Sequence, residues 1–226
     1  MDFFATWQAA PYMKRNKFVL ISRPRHDAIT NYLCAWSEDI VIQAKKKATG
    51  VYDLKGEKAT RVQLESYIDK HKPSFVFLNG HGNAHIIAGH DDRPLVDTSS
   101  ALKGMILYAR SCDAGQVLGP LLVEKGAAAF IGYTRKFTFG YLPEKMARPR
   151  EDTLAALFLE PSNLVPSTLL KGHTTEEAHR RSKDAMYRNF RRMIASVATY
   201  EERYAARWLW ANINSQVLLG DSTKRV

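Results

Sequence analysis

The stretches FVFLNGHGNAHIIAGH, residues 75–90, and MILYARSCDAGQ, residues 105–116, share one pattern. Each begins with a continuous apolar run of strand length and ends in small or polar residues around a side chain that can do chemistry. That side chain is His81 in the first stretch and Cys112 in the second. Short apolar runs bounded by turn residues are typical of strands that are buried on both faces. The two stretches therefore predict two interior strands, with His81 and Cys112 just past their ends.

The same alternation of apolar runs and amphipathic segments extends outward along the chain. It predicts strands over residues 17–22, 50–54, 74–80, 104–111 and 128–134, and helices over residues 27–48, 60–71 and 114–127. Repeated strand–helix–strand units with continuous apolar strands indicate an α/β fold, with a mostly parallel central sheet and helices on both faces. Residues 83–103 are too rich in turn residues for a crossover helix and are expected to form a small hairpin or an extended excursion.

Length and composition favour one globular domain. The chain has 226 residues, of which 45% are hydrophobic, and this is enough to bury one substantial core. No window reaches 18 apolar residues, and the N-terminal charges follow the apolar part, which is the wrong order for a signal peptide. Two cysteines are too few for a disulfide framework and match a reducing compartment. The sequence therefore predicts a cytoplasmic protein that does not associate with membranes.

The formal net charge of +10 raises the question of nucleic-acid binding. The densest basic segment spans residues 179–193. Apolar side chains recur through it and beyond it at helical spacing, and these are Met186, Phe190, Met193, Ile194 and Val197. No nucleic-acid motif accompanies the segment, so a solvated helix face is favoured over an RNA or DNA surface.

His81 and Cys112 form the candidate catalytic pair. Ligands and chemistry gather at the carboxyl ends of parallel strands, and both residues follow such strands. A cysteine nucleophile needs a neighbouring base, and a histidine on the next loop supplies one. The glycines on both sides of His81 permit a tight turn and leave the Gly82 amide free. Together with the Cys112 amide it would form an oxyanion hole.

The other cysteine and histidines in this half of the chain have ordinary structural interpretations. Cys34 lies on the apolar side of a predicted helix and is expected in the core. His85 alternates with isoleucines in the predicted hairpin, and His90 precedes a turn. A metal site formed by His81, His85, His90 and nearby aspartates fits no standard spacing and leaves Cys112 unexplained. We therefore predict neither a metal nor a cofactor.

These residues resemble a known family. An apolar strand that ends in His-Gly, followed about thirty residues later by one that ends in Ser-Cys, resembles the caspase-fold (clan CD) cysteine peptidases. The helix and strand after Cys112 are similar to those of the CHAT and gingipain-like members. The closing residues resemble the family's "GDP" element, with Ser222 in place of proline. The resemblance covers residue 17 to the C-terminus and implies a caspase-like three-layer sandwich. It makes residues 1–226 a single peptidase domain with an N-terminal extension, residues 1–16.

The resemblance also assigns roles. It implies a cysteine endopeptidase that cleaves a protein or peptide substrate, with His81 as general base and Cys112 as nucleophile. The amides of Gly82 and Cys112 would hold the oxyanion. No long linker follows Cys112, so the chain is expected to work uncut. Relatives are held inactive, which implies a regulatory protein partner or an activating ligand, and residues 135–152 are the candidate gating loop.

The same resemblance also implies a substrate preference for this sequence. The residue two before the nucleophile commonly lines the specificity pocket, and here it is Arg110. Arg23 or Arg25 after the first strand, and Arg135 after the strand at 128–134, stand at places comparable to the acid-binding arginines of caspases. Guanidinium groups bind carboxylates in a bidentate way, so an acidic side chain before the cut is slightly favoured. Asp113 is the rival, because it would recruit a basic side chain.

Two alternatives from other classes stay open. An amidotransferase-like cysteine hydrolase would place its histidine after the nucleophile, and the only candidates there are His173 and His179. A catalytically silent caspase-like scaffold that binds a partner is the other alternative, and the intact His/Cys pair argues against it.

Overall fold

A computed structural model of the chain describes residues 17–226; the N-terminal extension predicted at residues 1–16 lies outside the described residues. Six strands form one sheet in the order β2-β1-β3-β6-β7-β8, and all neighbours are parallel except β7 and β8. The strands of this sheet are β1 (Phe18–Arg23), β2 (Gly50–Lys55), β3 (Phe75–Asn79), β6 (Ile106–Arg110), β7 (Ala129–Tyr133) and β8 (Gln216–Gly220). The residues between β3 and β6 form a hairpin of β4 (Ile86–Ala88) and β5 (Pro94–Asp97), as predicted.

Seven helices surround this sheet in the described part of the chain. They are α1 (Ala28–Trp36), α2 (Glu38–Lys47), α3 (Arg61–His71), α4 (Leu118–Glu124), α5 (Thr153–Leu170), α6 (Thr175–Met193) and α7 (Tyr200–Ser215). Within residues 17–226, none of the helices combines the length and the apolar character that a membrane crossing requires.

The sheet divides the interior into two cores. One face packs against α1, α2, α5, α6 and α7, and the other packs against α3, α4 and the β4–β5 hairpin. Successive strand residues alternate between these cores, since Phe75 and Phe77 face the first and Val76 and Leu78 face the second. The predicted α/β class, with a mostly parallel sheet covered on both faces, is confirmed.

The helix predicted over residues 27–48 is two helices in the structure. Helix α1 begins with a capping box in which the Asp27 side chain accepts from the Thr30 amide and Thr30 bonds back to the Asp27 amide. Helix α1 ends at Trp36, and Ser37 is both the C-cap residue of α1 and the N-cap residue of α2. Ser37 is fully buried, and its hydroxyl accepts a hydrogen bond from Arg110 at 2.6 Å. A tertiary contact thus lies at the break, and helical periodicity alone does not predict it.

The basic helix α6 also ends earlier than its apolar pattern suggested. Met186 and Met193 are fully buried, as helical spacing predicted, but α6 stops at Met193. Ile194 and Val197 lie beyond the helix and are 56% and 88% exposed. The predicted apolar stripe is therefore right within the helix and wrong after it.

Candidate active site

Strand register brings His81 and Cys112 to the same edge of the sheet. The last paired residues of β3 and β6 are Asn79 and Arg110, which lie opposite each other in the parallel ladder. His81 and Cys112 each follow two residues later, at the carboxyl end of their strand. The hydroxyl of Ser111 donates to the carbonyl oxygen of His81 at 2.9 Å, which joins the two loops directly.

Glycines make this junction sterically feasible. Gly80 has a φ of 146°, and a Cβ there would lie 2.3 Å from the carbonyl oxygen of Ala88. A Cβ on Gly82 would lie 2.1 Å from the Ser111 hydroxyl and 2.6 Å from the carbonyl oxygen of Ile86. Real Cβ atoms do not approach this closely, so both glycines are required for the β4–β5 hairpin and the Ser111 loop to meet around His81.

The His81 imidazole is oriented by a carboxylate. Its Nε2 lies 2.6 Å from Oδ2 of Asp27, the N-cap residue of α1. Because Asp27 accepts the Nε2 proton, the imidazole keeps Nδ1 as its free basic nitrogen. The His81 side chain is about one-third exposed, so a substrate can reach it.

Asp27 is held in its ionised form. Burial opposes its ionisation, but hydrogen bonds from the Thr30 hydroxyl, the Thr30 amide and His81 outweigh burial and lower its pKa to about 2. From the sequence, residue 27 was expected only to begin a helix, and its contact with His81 was not predicted. One signal for it existed, because the loop after β1 opens at the same sheet edge as the loops after β3 and β6.

Cys112 is a resting thiol in this structure. Its Sγ lies 3.9 Å from the carbonyl oxygen of Phe137, to which it donates. Burial raises the pKa of the thiol, which favours the neutral form. Among the described residues, no hydrogen bond joins Cys112 to His81. The structure thus places the pair at one edge, with the thiol turned toward residue 137.

The two amides predicted to bind an oxyanion donate no hydrogen bond within residues 17–226. Within residues 17–226, neither the Gly82 amide nor the Cys112 amide donates a hydrogen bond to the protein. Neighbouring amides are engaged, since Asn83 donates to Ile86 and Ala88 donates to the His81 carbonyl oxygen. Free amides beside a reactive side chain are the donors that an oxyanion hole needs.

Arg110 does not line a substrate pocket, and this prediction needs correction. Its guanidinium is fully buried among neutral acceptors. All five of its N–H groups are used, and the acceptors are Asn79 Oδ1, Ser162 Oγ, Asn163 Oδ1, the Leu33 carbonyl oxygen and Ser37 Oγ. As the last residue of β6, it faces the α1–α2–α5 side of the sheet rather than the catalytic edge.

Arg23 is likewise committed to the interior. It is 2% exposed and binds Asp53 with two nitrogens, at 2.6 and 2.5 Å, and Glu38 with a third, at 2.5 Å. Burial opposes its charge, but the hydrogen bonds to Asp53 and Glu38 outweigh it and raise its pKa. The prediction that Arg23 binds substrate is therefore also corrected.

The remaining specificity candidates stay accessible. Arg25 and Arg135 are exposed, and the only side-chain partner of Arg25 within residues 17–226 is Asn31. Asp113 has a φ of 58°; its amide donates to the Arg135 carbonyl oxygen at 3.2 Å, and its carboxylate accepts from Gln116. The turn after Cys112 therefore holds Asp113 and Arg135 next to each other.

The candidate gating segment, residues 135–152, is partly built into the core. Phe137 and Phe139 are buried, and Thr138 exchanges hydrogen bonds with the Asn212 side chain of α7, at 3.2 and 2.7 Å. Residues 143–148 are mostly exposed, whereas Pro149 is buried and accepts from Trp36. The segment thus touches the nucleophile through its buried part.

The histidines that follow Cys112 are not at this edge. His173 pairs with Glu177 at 2.8 Å, in a loop whose Gly172 lies beside Lys17, at the amino-terminal edge of β1. His179 packs beside Gln216, and burial lowers its pKa to about 4. This arrangement does not support the amidotransferase-like alternative.

A metal site formed by His81, His85 and His90 was not favoured from the sequence, and the structure does not group these three histidines. His85 is exposed and belongs to no candidate metal group among the described residues. His90 instead lies against His26, with ring centroids 5.3 Å apart, and His26 lies 6.1 Å from His81. His26 immediately precedes Asp27, and no pattern in the sequence had singled it out.

Two solved structures are similar to this fold. The complex of the pro- and mature domains of RgpB from Porphyromonas gingivalis matches with a TM-score of 0.56 and 10% identity, over 92% of this chain and 48% of that chain. A structure described as a protease matches with a TM-score of 0.51 and 18% identity, over 93% and 48%. The chain therefore spans about half the length of each of these proteins. At such identities the likeness shows the fold, and the chain has the caspase-like three-layer α/β sandwich. No family model matches the chain, and neither does any curated protein sequence.

Proposed function

We propose that this protein is a cysteine peptidase of the caspase fold. The observation that carries the proposal is the junction at the sheet edge. There, Nε2 of His81 lies 2.6 Å from Oδ2 of Asp27, which orients the imidazole. The carbonyl oxygen of His81 accepts a hydrogen bond from the hydroxyl of Ser111, the residue before Cys112. A base, its orienting carboxylate and a thiol on adjacent loops are the parts that nucleophilic acyl transfer requires. The similar fold of RgpB and of the second protease supports the same reaction class.

The reaction would proceed through an acyl-enzyme. Nδ1 of His81 takes the proton of the Cys112 thiol, and the sulfur attacks the peptide carbonyl carbon. The negative charge that develops on the carbonyl oxygen is bound by the amides of Gly82 and Cys112. The tetrahedral intermediate collapses, the C–N bond breaks, and the leaving amine takes the proton from His81. Water, deprotonated by His81, then attacks the thioester and releases the acid product and the thiol.

Activation is part of the proposal. In the resting arrangement the thiol faces Phe137 and burial raises its pKa. We propose that a protein partner, a ligand or the substrate shifts the segment at residues 135–152, so that the thiol turns from the Phe137 carbonyl oxygen to His81. The exposed part of that segment, residues 143–148, offers the surface on which such a partner would act.

The substrate preference is proposed to be acidic. With Arg110 and Arg23 committed to the interior, the preference depends on Arg25 and Arg135, both exposed near the catalytic edge. A peptide library cleaved by the activated enzyme tests this proposal. We expect cleavage after Asp or Glu, weakened in Arg135→Ala and Arg25→Ala. Cleavage after Lys or Arg, lost in Asp113→Asn, would reverse the preference.

Covalent labelling tests the function itself. We would treat the purified protein with a set of peptides that carry an electrophilic carbonyl, and measure the adduct by intact mass. Labelling is expected in the wild type and in Cys34→Ser, and is expected to disappear in Cys112→Ala and fall sharply in His81→Ala. The scaffold alternative would gain if no peptide probe labelled Cys112 while free iodoacetamide did. Loss of labelling in His173→Ala with retention in His81→Ala would favour the amidotransferase-like alternative.

A further inference from the structure

Beside the catalytic edge lies a second cluster, formed by His26, His90 and Asp91. A ring nitrogen of each histidine and a carboxylate oxygen of Asp91 all lie within 4.8 Å of one another. The two rings meet edge to face at an interplanar angle of 83°. The histidine side chains are only 12% and 18% exposed, whereas Asp91 is 62% exposed and can turn toward an ion. The peptidase mechanism uses none of these three side chains.

One polar atom in this cluster lacks a partner. Nδ1 of His90 is buried and forms no hydrogen bond. Burying a polar nitrogen without a partner is unfavourable, so a ligand that bonds to Nδ1 would remove this penalty. The other ring nitrogen of His90, Nε2, lies 3.4 Å from Oδ1 of Asp91. An imidazole that lies beside a second imidazole and a carboxylate is suited to bind a cation.

The surroundings of His26 match those of a metal ligand. Its Nε2 lies 3.3 Å from Oδ1 of Asp92, and metal-bound histidines usually donate their second ring N–H to a carboxylate in this way. That contact leaves Nδ1 of His26 for the ion. The Asp91 amide now donates to Nδ1 over a long 3.3 Å, and it would give up this bond.

We propose that His26, His90 and Asp91 form a zinc site, with water as the fourth ligand. Two imidazoles and one carboxylate are a typical ligand set for Zn²⁺, whereas Mg²⁺ and Ca²⁺ prefer oxygen ligands alone. The ion ties the loop after β1 to the loop between β4 and β5. Since Asp27 follows His26 directly, the ion also fixes the carboxylate that orients His81. The site stands independently of the proposed peptidase activity.

A second group of ligand atoms shares His26 and gives the alternative outcome. His26, Asp27 and His81 also come within 4.8 Å of one another. An ion there would break the hydrogen bond between Asp27 and His81, which is 2.6 Å long. The outer group, His26, His90 and Asp91, has the atom without a partner, and an ion there displaces only the long 3.3 Å bond from the Asp91 amide to His26. We therefore assign the ion to the outer group.

Zinc titration of the chelator-treated protein tests the assignment. Binding is followed by competition with a chromogenic chelator, and Co²⁺ absorption reports the coordination geometry. We expect one ion in the wild type, with the visible bands of tetrahedral Co²⁺ and a raised melting temperature on zinc addition. His85→Ala, an exposed histidine in the same excursion, and His81→Ala should bind as the wild type does.

Substitutions at single ligands distinguish the outer group from the group of His26, Asp27 and His81. His90→Ala should weaken zinc binding by more than about 100-fold, since loss of an outer-shell partner alone costs 10–100-fold, and Asp92→Asn should show that smaller loss. If His90→Ala is unstable without zinc, Asp91→Asn replaces it, because its side chain is largely exposed. Wild-type protein that binds no zinc at submillimolar concentration would overturn the site. So would binding that survives His90→Ala and Asp91→Asn but is lost in His81→Ala.

Discussion

Arg110 brings a positive charge into the core with only neutral acceptors around it. Five N–H groups meet five acceptors, and the guanidinium carbon lies 4.9 Å from the centre of the Phe77 ring. Burial lowers its pKa to about 10, so it remains charged at neutral pH. One side chain thus connects β3, the α1–α2 junction and α5. Arg110 therefore holds these three elements together beneath the candidate active site.

Replacing Arg110 with methionine should destabilise the fold strongly. The change keeps the apolar stem but leaves the acceptors of Asn79, Ser37, Ser162 and their neighbours without a donor. Each buried acceptor left without a donor costs about 1–3 kcal/mol, so we expect a loss of at least about 3 kcal/mol in chemical denaturation. Arg25→Met, at an exposed arginine, is the control and should change stability by less than about 0.5 kcal/mol. Equal effects of the two changes would contradict this account of Arg110.

Asp27→Asn should separate catalysis from folding. Asparagine is as good an N-cap as aspartate, so α1 should keep its start. An amide can donate to Nε2, which moves the imidazole proton to Nδ1 and removes the basic nitrogen that the proposed mechanism uses. Because general-base catalysis contributes roughly 10²–10⁴-fold, kcat should fall by at least about 100-fold with KM little changed. Asp39→Asn, at an exposed aspartate, is the control and should leave kcat unchanged. Full kcat in Asp27→Asn would refute the proposal that Asp27 orients His81 for catalysis.

The pKa of Cys112 predicts the pH dependence of its alkylation. Burial raises the pKa of the thiol, so the thiolate fraction at pH 7 is lower than that of a free cysteine. Below its pKa, the thiolate fraction and hence the rate should rise about tenfold per pH unit. Iodoacetamide alkylation, measured by mass in a Cys34→Ser background, should therefore be slow at pH 7 and still rising at alkaline pH. A rate that levels off below neutral pH would show a preformed thiolate.

The alternation of strand residues argues against the wrong prediction for Arg110, but it could not reveal the role of Asp27. Residues of β6 alternate between the two cores, and Arg110 shares a face with Ile106 and Tyr108. That alternation could be read from the sequence and argued against a surface role. The link from Asp27 to His81 could not be read in this way, because it joins residues 54 apart. The capping pattern already accounted for an aspartate at residue 27, so nothing local indicated a second function.

At the scale of elements, long apolar strands were predictable and the interruptions between helices were not. Strands β1, β3, β6 and β7 are continuous apolar runs whose burial follows from a two-sided sheet. At the break between α1 and α2, Ser37 accepts a hydrogen bond from Arg110, and this contact exists only in the assembled fold. Helix α5 contains Pro161 and Pro166, which argue locally against a helix of 18 residues, yet it is packed on α2 and α6. Tertiary packing outweighs local propensity there.

Gly82→Ala tests whether labelling at Cys112 and stability require the close approach of the loops after β3 and β6. An added Cβ would lie 2.1 Å from the Ser111 hydroxyl, so either the Ser111–Cys112 turn or the hairpin must shift. We expect loss of labelling at Cys112 and a stability loss of about 1–3 kcal/mol, typical of overpacking. The control is Gly104→Ala, where φ is 77° but the space is open, so only backbone strain is expected. Wild-type labelling in Gly82→Ala would show that the loops tolerate separation.

At the scale of the whole molecule, the candidate active site is assembled from both halves of the sheet. The loop after β1 supplies Asp27, the loop after β3 supplies His81, and the loop after β6 supplies Cys112. Parallel strands explain why the sequence order of these loops could predict a common edge. The resting contact of Cys112 could not be predicted in this way. It depends on the segment after β7, which α7 holds from the other end of the chain.

Asn212 of α7 connects this distant helix to the nucleophile. Its amide accepts from the Thr138 amide at 3.2 Å and donates to the Thr138 carbonyl oxygen at 2.7 Å, which fixes the backbone next to Phe137. Asn212→Ala removes both bonds and should loosen residues 135–142 without changing the catalytic residues. We expect faster hydrogen exchange in that segment and a changed rate of Cys112 alkylation.

The matched control for this prediction is Asn214→Ala. Asn214 is exposed on the same helix, and its side-chain amide donates only to the Trp210 carbonyl oxygen within residues 17–226. It should leave both hydrogen exchange and alkylation at wild-type values. If Asn212→Ala accelerated exchange in residues 135–142 but left Cys112 alkylation unchanged, the contact with Phe137 would not control the thiol. The proposed gate would then have to lie outside this segment.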